Sequence, residues 1–315
     1  MPVSFTDECT PSYYPRYIKA YRDGILQSKI IEGETLLKNC KLCPRNCEVN
    51  RYLEEGKICA TGKYPRISSY FPHFGEESCL VGSHGSGTIF FTSCNLRCAF
   101  CQNWDISHSR DGREVTPIEL ARIMIDLQNQ GCHNINFVTP SHVVVQILKA
   151  INLAAEMGLR IPLVYNTSTY DSVESLNLLD GIIDIYMPDF KFWHRKSAKK
   201  FMTAPDYSEV ARRNIQIMYQ QVGDLNVNDQ NIAVKGLLVR HLVMPNHLKD
   251  TYQIIQFLAS QISPKTALNI LFQYHPEYKV GINRFPELNR LLSLKEREHA
   301  KRLKQEAGLP DYPWL

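Results

Sequence analysis

From residue 87 onward the chain alternates short apolar runs with amphipathic stretches, and this alternation limits the fold more than any other feature of the sequence. Runs that read as strands lie at 87–92, 134–138, 161–165, 182–187, 235–243 and 267–272. The segments between them carry helical start and stop signals. Thr116-Pro117-Ile118-Glu119 is a capping box with proline at the first helical position. Asp171 with Glu174 and Asp206 with Glu209 repeat the spacing, and Gly131 and Gly158 stand where helices end. Strands that are each followed by a helix imply a parallel sheet with right-handed crossovers. Six such units predict an α/β fold, a partial (β/α)6 TIM-like barrel rather than a closed eight-fold one. In such barrels the reactive residues sit at the carboxyl ends of the strands.

The first strand runs directly into Cys94-Asn95-Leu96-Arg97-Cys98-Ala99-Phe100-Cys101. Three thiols on one short loop can hold three corners of an iron–sulfur cube. No fourth cysteine stands at cluster distance, so one iron is left without a protein ligand, and an open metal position is where chemistry happens. The other readings are a zinc knuckle, or a disulfide with a spare thiol. Zinc sites usually close with four ligands in two pairs, and a cytosolic disulfide is out of place.

A second group precedes the barrel: Cys40, Cys43, Cys47 and, after the turn Glu54-Glu55-Gly56, Cys59. Four thiolates at these intervals form a closed ligand set that would staple a segment with little core of its own. The alternative is thiols without metal, and between zinc and a second iron–sulfur cluster the spacing is neutral. The expected organisation is an extension with a four-cysteine metal site over residues 1–80, and a barrel with C-terminal helices over residues 81–315. Tyr17 to Leu26 reads as a short helix whose tyrosines pack on the main body. Cys9, Cys79 and Cys132 stand alone and read as small buried hydrophobes. His73 and His84 read as hydrogen-bonded histidines rather than ligands.

Composition excludes some function classes. The net charge is only +4, with basic and acidic residues interspersed as in Lys295-Glu296-Arg297-Glu298, so nothing calls for nucleic acid. Met1 to Glu8 has no basic or apolar targeting pattern, and no apolar run reaches membrane-spanning length. Ten cysteines without an export signal point to metal ligation in a reducing cytoplasm.

Polar residues gather at the remaining strand ends: Thr139-Pro140-Ser141-His142, Asn166-Thr167-Ser168-Thr169, Met187-Pro188-Asp189-Phe190-Lys191, Arg240-His241 and Tyr274-His275. Asp189, Lys191, Arg240 and His275 are ionisable groups in or just past apolar runs. A buried charge must be paired or must meet a charged ligand, so these residues form either an ion-pair network or a pocket for a ligand of mixed charge. Gly82-Ser83-His84-Gly85-Ser86-Gly87 lacks the helix start of a phosphate loop.

At these residues the chain resembles the radical S-adenosylmethionine (SAM) superfamily, through the CxxxCxΦC spacing of Cys94, Cys98 and Cys101. From about residue 87 to 280 it is similar to the pyruvate formate-lyase activating enzyme group, and with its amino-terminal cysteines to the PflX-like branch. Cys101-Gln102-Asn103-Trp104-Asp105, Met187 to Lys191, Val239 to Pro245 and Tyr274-His275 carry the likeness. The resemblance implies a [4Fe–4S] cluster on Cys94, Cys98 and Cys101, with SAM chelating the open iron. It implies a monovalent-cation site from Asp189, Thr167, Asn166 and the Met187 carbonyl, although the activases have aspartate where Asn166 stands. It implies SAM contacts from Arg240 and His275 and a role for Lys191 in the same pocket. Where the activases have Gly-Gly-Glu, this chain has Thr139-Pro140-Ser141-His142, so the Thr139 and Ser141 hydroxyls would meet the SAM amino group. The activase itself lacks the four-cysteine segment. The implied activity is reductive cleavage of SAM to a 5′-deoxyadenosyl radical that abstracts hydrogen from a substrate. A one-electron donor such as flavodoxin or ferredoxin would supply the electron, and the target could be a glycine of a partner protein. Two rival readings remain: radical modification of a small molecule or peptide with an auxiliary cluster, and a non-catalytic iron–sulfur electron carrier or sensor.

Overall fold

The computed structural model describes residues 13–315; Cys9 and the first eight residues lie outside them. The strands are β1 (Arg66–His73), β2 (Ser86–Phe91), β3 (Arg113–Glu114), β4 (Ile135–Val138), β5 (Leu163–Thr167), β6 (Ile185–Pro188), β7 (Asn226–Val227), β8 (Ala233–Leu242) and β9 (Ala267–Leu271). The α-helices are α1 (Arg16–Arg22), α2 (Ile25–Lys38), α3 (Ser78–Val81), α4 (Trp104–Ser107), α5 (Pro117–Asn129), α6 (Val144–Glu156), α7 (Val173–Leu179), α8 (Arg195–Met202), α9 (Tyr207–Val222), α10 (Leu248–Phe257) and α11 (Leu294–Glu306).

β2, β4, β5, β6, β8 and β9 pair in that order, each parallel to the next. Every pairing is between consecutive strands of the βα repeat, which is the order of an incomplete (β/α)6 barrel and not of a doubly wound sheet. β1 and β3 extend the β2 edge in antiparallel fashion. Among the described residues no pairing joins β9 to that edge, so the sheet stays open there. All six strands expected from the sequence are present, with ends shifted by up to three residues. They are legible because strands covered on both faces are nearly continuous apolar runs.

Helix starts follow the sequence less closely. The Thr116 capping box forms on α5, and Gly131 and Gly158 take positive φ just past α5 and α6. The second box does not form: the α7 cap is Ser172, which accepts from the Ser175 N–H. Asp171 instead turns inward and accepts from the Tyr165 and Thr167 hydroxyls, both at 2.7 Å. Asp206 makes no side-chain cap on α9; its Oδ1 accepts from Tyr170 at 2.8 Å. The expected helix over Tyr17 to Leu26 is broken at Gly24, whose φ of 72° separates α1 from α2.

α2 lies against α6 and α7 on the outside of the barrel. Gly33 permits that approach, since a Cβ there would stand 2.9 Å from a Val145 methyl carbon. A mid-helix glycine costs about 1 kcal/mol relative to alanine, and here close packing offsets it. Asp184, at the start of β6, ties the chain's beginning to the barrel: its carboxylate accepts from Tyr13 OH, Arg16 N–H and Leu163 N–H at 2.7–2.8 Å. A second apolar cluster joins Cys79 and Leu80 of α3 to Val164, Met187 and Leu238 of the strands, with Tyr312, Trp314 and Leu315 packed against it. Cys79 and Cys132 are both buried among apolar neighbours, as small hydrophobes would be.

Candidate functional site

The cluster loop leaves β2 and curls on two left-handed residues, Ser93 (φ 69°) and Arg97 (φ 61°). Side chains with a Cβ take this conformation only when the surroundings impose it. The loop is pinned from three sides. Arg45 donates from Nε to the Asn95 carbonyl at 2.9 Å and from Nη2 to the Leu96 carbonyl at 3.2 Å. The Ala99 N–H donates to the Phe201 carbonyl of α8 at 2.7 Å, and the Ala99 carbonyl accepts from Lys279 N–H at 3.0 Å. Trp104 stacks on Tyr278 with ring centroids 5.5 Å apart.

Cys94, Cys98 and Cys101 line one cavity of about 250 Å³ at the carboxyl ends of the parallel strands. The Leu96 N–H donates to Cys94 Sγ at 3.3 Å, and Cys101 Sγ lies 3.1 Å from Ser107 Oγ. Burial pushes the Cys94 and Cys98 thiols up, while the Lys191 ammonium opposes it at both. Among the described residues no three His, Cys, Asp or Glu side chains converge on a single ion-sized point. The three thiols instead face a shared space on one loop, with an amide already aimed at a sulfur. That donor set fits a thiolate-held cluster with one open corner.

Thr139, Asn166, Thr167, Asp189, Lys191 and Arg240 line the same cavity. Arg240 is the hub. Its Nε donates to Asp189 Oδ1 at 2.9 Å, Nη2 to Asn166 Oδ1 at 2.7 Å and Nη1 to Glu76 Oε2 at 3.0 Å. Lys191 Nζ donates to Asp189 Oδ2 at 2.8 Å. Burial alone would raise the Asp189 carboxyl, but Arg240 and Lys191 outweigh it and hold it at about 2. Asp189 is therefore ionised at neutral pH, and with Glu76 it balances the two cations Arg240 and Lys191.

The Asp189, Asn166 and Thr167 side chains, three of the four groups named for a monovalent cation, are hydrogen-bonded to protein groups. Both Asp189 oxygens and Asn166 Oδ1 accept from the two cations. Thr167 Oγ1 donates to Asp171 Oδ2 at 2.7 Å. A guanidinium thus joins Asp189 to Asn166 where the resemblance would put a cation. Thr139, at φ 56°, reaches the cavity wall, whereas Ser141 is buried against Thr167 Oγ1 at 3.1 Å. His275 stands outside the cavity wall, half-exposed, with Nδ1 3.6 Å from Glu277. His73 sits 3.7 Å from Glu76, and His84 Nδ1 lies 2.7 Å from Ser83 Oγ.

Glu76 and Glu77 were not expected at the site. Glu76 is an inward carboxylate on Arg240, and Glu77 accepts from Asn269 at 2.8 Å. Their sequence context, a charged pair after Gly75, reads as an exposed loop, and no local signal distinguishes it. The four amino-terminal cysteines are also brought together, lining a second, smaller cavity with Asn95 at its wall.

The radical SAM superfamily model matches residues 88–227, from β2 through β7. An uncharacterized protein of Methanocaldococcus jannaschii, MJ0674, is 34% identical over 298 residues, spanning 91% of this chain and 80% of its own length. The chain belongs to the radical SAM superfamily. Family membership implies a [4Fe–4S] cluster, SAM and a reductant, and supports an enzyme. A second M. jannaschii protein, MJ0808, is 24% identical across 82% of this chain and 76% of its own length. The pyruvate formate-lyase-activating enzyme of Clostridium pasteurianum is 26% identical over 249 residues, across 76% of this chain and 96% of that enzyme. Among the described residues no helix is long and apolar enough to cross a membrane.

Proposed function

We propose that this radical SAM protein reductively cleaves SAM and uses the 5′-deoxyadenosyl group to abstract hydrogen from a glycine Cα of a partner protein. The observation that carries the first part is the shared cavity: three thiols on one loop face Asp189, Lys191 and Arg240 across it. Cys94, Cys98 and Cys101 would hold the cluster, which when bound supplies the electron and an iron to chelate the methionine end of SAM.

The chain's own residues hold and orient the co-substrate. SAM carries a carboxylate, an ammonium and a sulfonium. Arg240 and Lys191 offer positive charge to the carboxylate, and Thr139 offers a hydroxyl to the ammonium. Asp189 fixes both cations in place and so acts on SAM mainly through them. Leu96, Phe100, Val138, Leu242 and Leu271 supply the apolar wall that keeps water from a reactive carbon radical. A flavodoxin- or ferredoxin-type donor in a reducing cytoplasm would complete the reaction, and among the described residues nine cysteines stand as free thiols.

The protein-substrate part is supported by the likeness to an activating enzyme along 96% of that enzyme's length. The test is to incubate the anaerobically reconstituted, reduced chain with SAM and pyruvate formate-lyase. A glycyl radical on the partner, read by electron paramagnetic resonance, is the expected result. If 5′-deoxyadenosine forms without any protein radical, the substrate is of another class, such as a small molecule or peptide. If neither forms, the catalytic reading itself fails.

A further inference from the structure

The four-cysteine cavity contains one residue that the radical chemistry does not use. Arg51 is fully buried, at 1% exposure. Its Nη1 points at two sulfurs, Cys40 Sγ at 3.6 Å and Cys59 Sγ at 3.7 Å. Nη2 donates to the His142 carbonyl at 3.1 Å and Nε to the Gly62 carbonyl at 3.3 Å. Among the described residues no carboxylate pairs with it; the arginine ion pairs found there belong to other residues, such as Arg66 and Arg240. A buried guanidinium without a counter-charge costs several kcal/mol. The groups within reach that can supply negative charge are thiols.

The local backbone matches that reading. Asn46, Glu48 and Ala60 all take positive φ, at 42°, 57° and 46°, so the segment is bent tightly around its cysteines. The turn is closed by its own backbone, with Cys40 N–H donating to the Val49 carbonyl at 2.9 Å and Asn46 N–H to the Cys43 carbonyl at 3.0 Å. At Gly56 a Cβ would stand 2.6 Å from Cys59 Sγ, so the backbone there is drawn in to the sulfur.

We propose that Cys40, Cys43, Cys47 and Cys59 hold a metal as a tetrathiolate centre, with Arg51 as its buried counter-ion. The four sulfurs share one cavity but do not meet at a single ion-sized point as they stand, so the metal would draw them together. Four thiolates around a divalent zinc ion, or around an iron–sulfur cube of like charge, leave net negative charge, and the guanidinium neutralises part of it. Four ligands saturate either species, so this centre does not compete for SAM. It also braces the radical site from behind, because Asn95, next to Cys94 in the chain, forms part of its wall. Arg45, between Cys43 and Cys47, holds the Asn95 and Leu96 carbonyls.

The test uses the full chain with Cys94, Cys98 and Cys101 all changed to alanine, which removes the barrel thiols and makes the result independent of SAM chemistry. Purified without oxygen from cells supplied with iron and zinc, this variant should retain one centre per chain. That centre is either one zinc or iron with equal sulfide, and the metal and sulfide analysis names which. Adding Cys43→Ser and Cys47→Ser should remove it. A triple variant without bound metal overturns the site. Arg51→Met in the same background should release its metal to a chelator at least about tenfold faster (about 1.4 kcal/mol), and Arg51→Lys should restore most of the retention. Melting curves separate charge from packing. Arg51→Met should lower the melting temperature of the loaded protein but not of the stripped protein, where the guanidinium has lost its anion. Equal drops in both forms, or unchanged metal release, would overturn the counter-ion assignment.

Discussion

Asp189 shows how much chemistry one side chain organises. It stands between two cations, and Asn in its place keeps the shape but removes the anion they share. Asp189→Asn is expected to weaken SAM binding about tenfold or more, equivalent to about 1.4 kcal/mol, with the cluster still assembled. Calorimetry on reconstituted protein measures this, and an unchanged affinity would reduce Asp189 to a structural ion-pair member. The same geometry bears on monovalent ions. Because Arg240 already joins Asp189 to Asn166, exchanging sodium or potassium for a bulky organic cation at equal ionic strength should change SAM affinity by less than about twofold. A strong potassium requirement would show that an ion displaces the guanidinium. Much of this site was legible in the sequence, since charged residues at the ends of apolar strands have few reasons to be there. Glu76 was not. Its inward turn is set by the path from β1 into α3, and nothing in Gly75-Glu76-Glu77 alone specifies a tertiary contact with Arg240, 164 residues away.

Among the elements, the six parallel strands were readable and the additions to them were not. β1 carries Pro72 and exposed Tyr70 and Phe71, so its pattern resembles a loop more than a strand. Its place is decided by pairing with β2. Asp171 and Asp206 have the spacing of helix caps, yet hydroxyls from Tyr165, Thr167 and Tyr170 claim them. At Asp171 tertiary partners outcompete local capping because a fully buried carboxylate needs every donor it can reach. α1 depends on a similar contact. Burial pushes the Asp184 carboxyl up to about 6 despite the donors from Tyr13, Arg16 and Leu163. An exposed aspartate titrates near 3.9, so as the pH falls the native state takes up this proton before the unfolded state does. The group therefore adds stability as the pH drops from about 6 to about 4 and withdraws it as the pH rises through about 6. Asp184→Asn cannot titrate, so the wild-type-minus-variant difference in urea unfolding free energy should be larger at pH 4.5 than at pH 7.5. A difference that is flat across that window would contradict the assignment. Asp184→Ala should cost about 1–3 kcal/mol and expose α1 to protease before the barrel.

At the scale of the whole molecule, the barrel's carboxyl end gathers the thiols and the charged residues, while α3 and the C-terminal Tyr312 and Trp314 pack with the strands as a separate apolar cluster. Reactivity is thus confined to one end, as βα barrels require, and the four-cysteine segment leans on that same end through Asn95. The central claim is that the Cys94 to Cys101 loop holds the cluster that cleaves SAM. The most direct measurement is 5′-deoxyadenosine formation by anaerobically reconstituted, reduced protein, comparing wild type with Cys98→Ala at matched circular dichroism. The expected result is steady 5′-deoxyadenosine production by wild type and none above background by Cys98→Ala. Wild-type turnover in the Cys98→Ala protein would contradict the account.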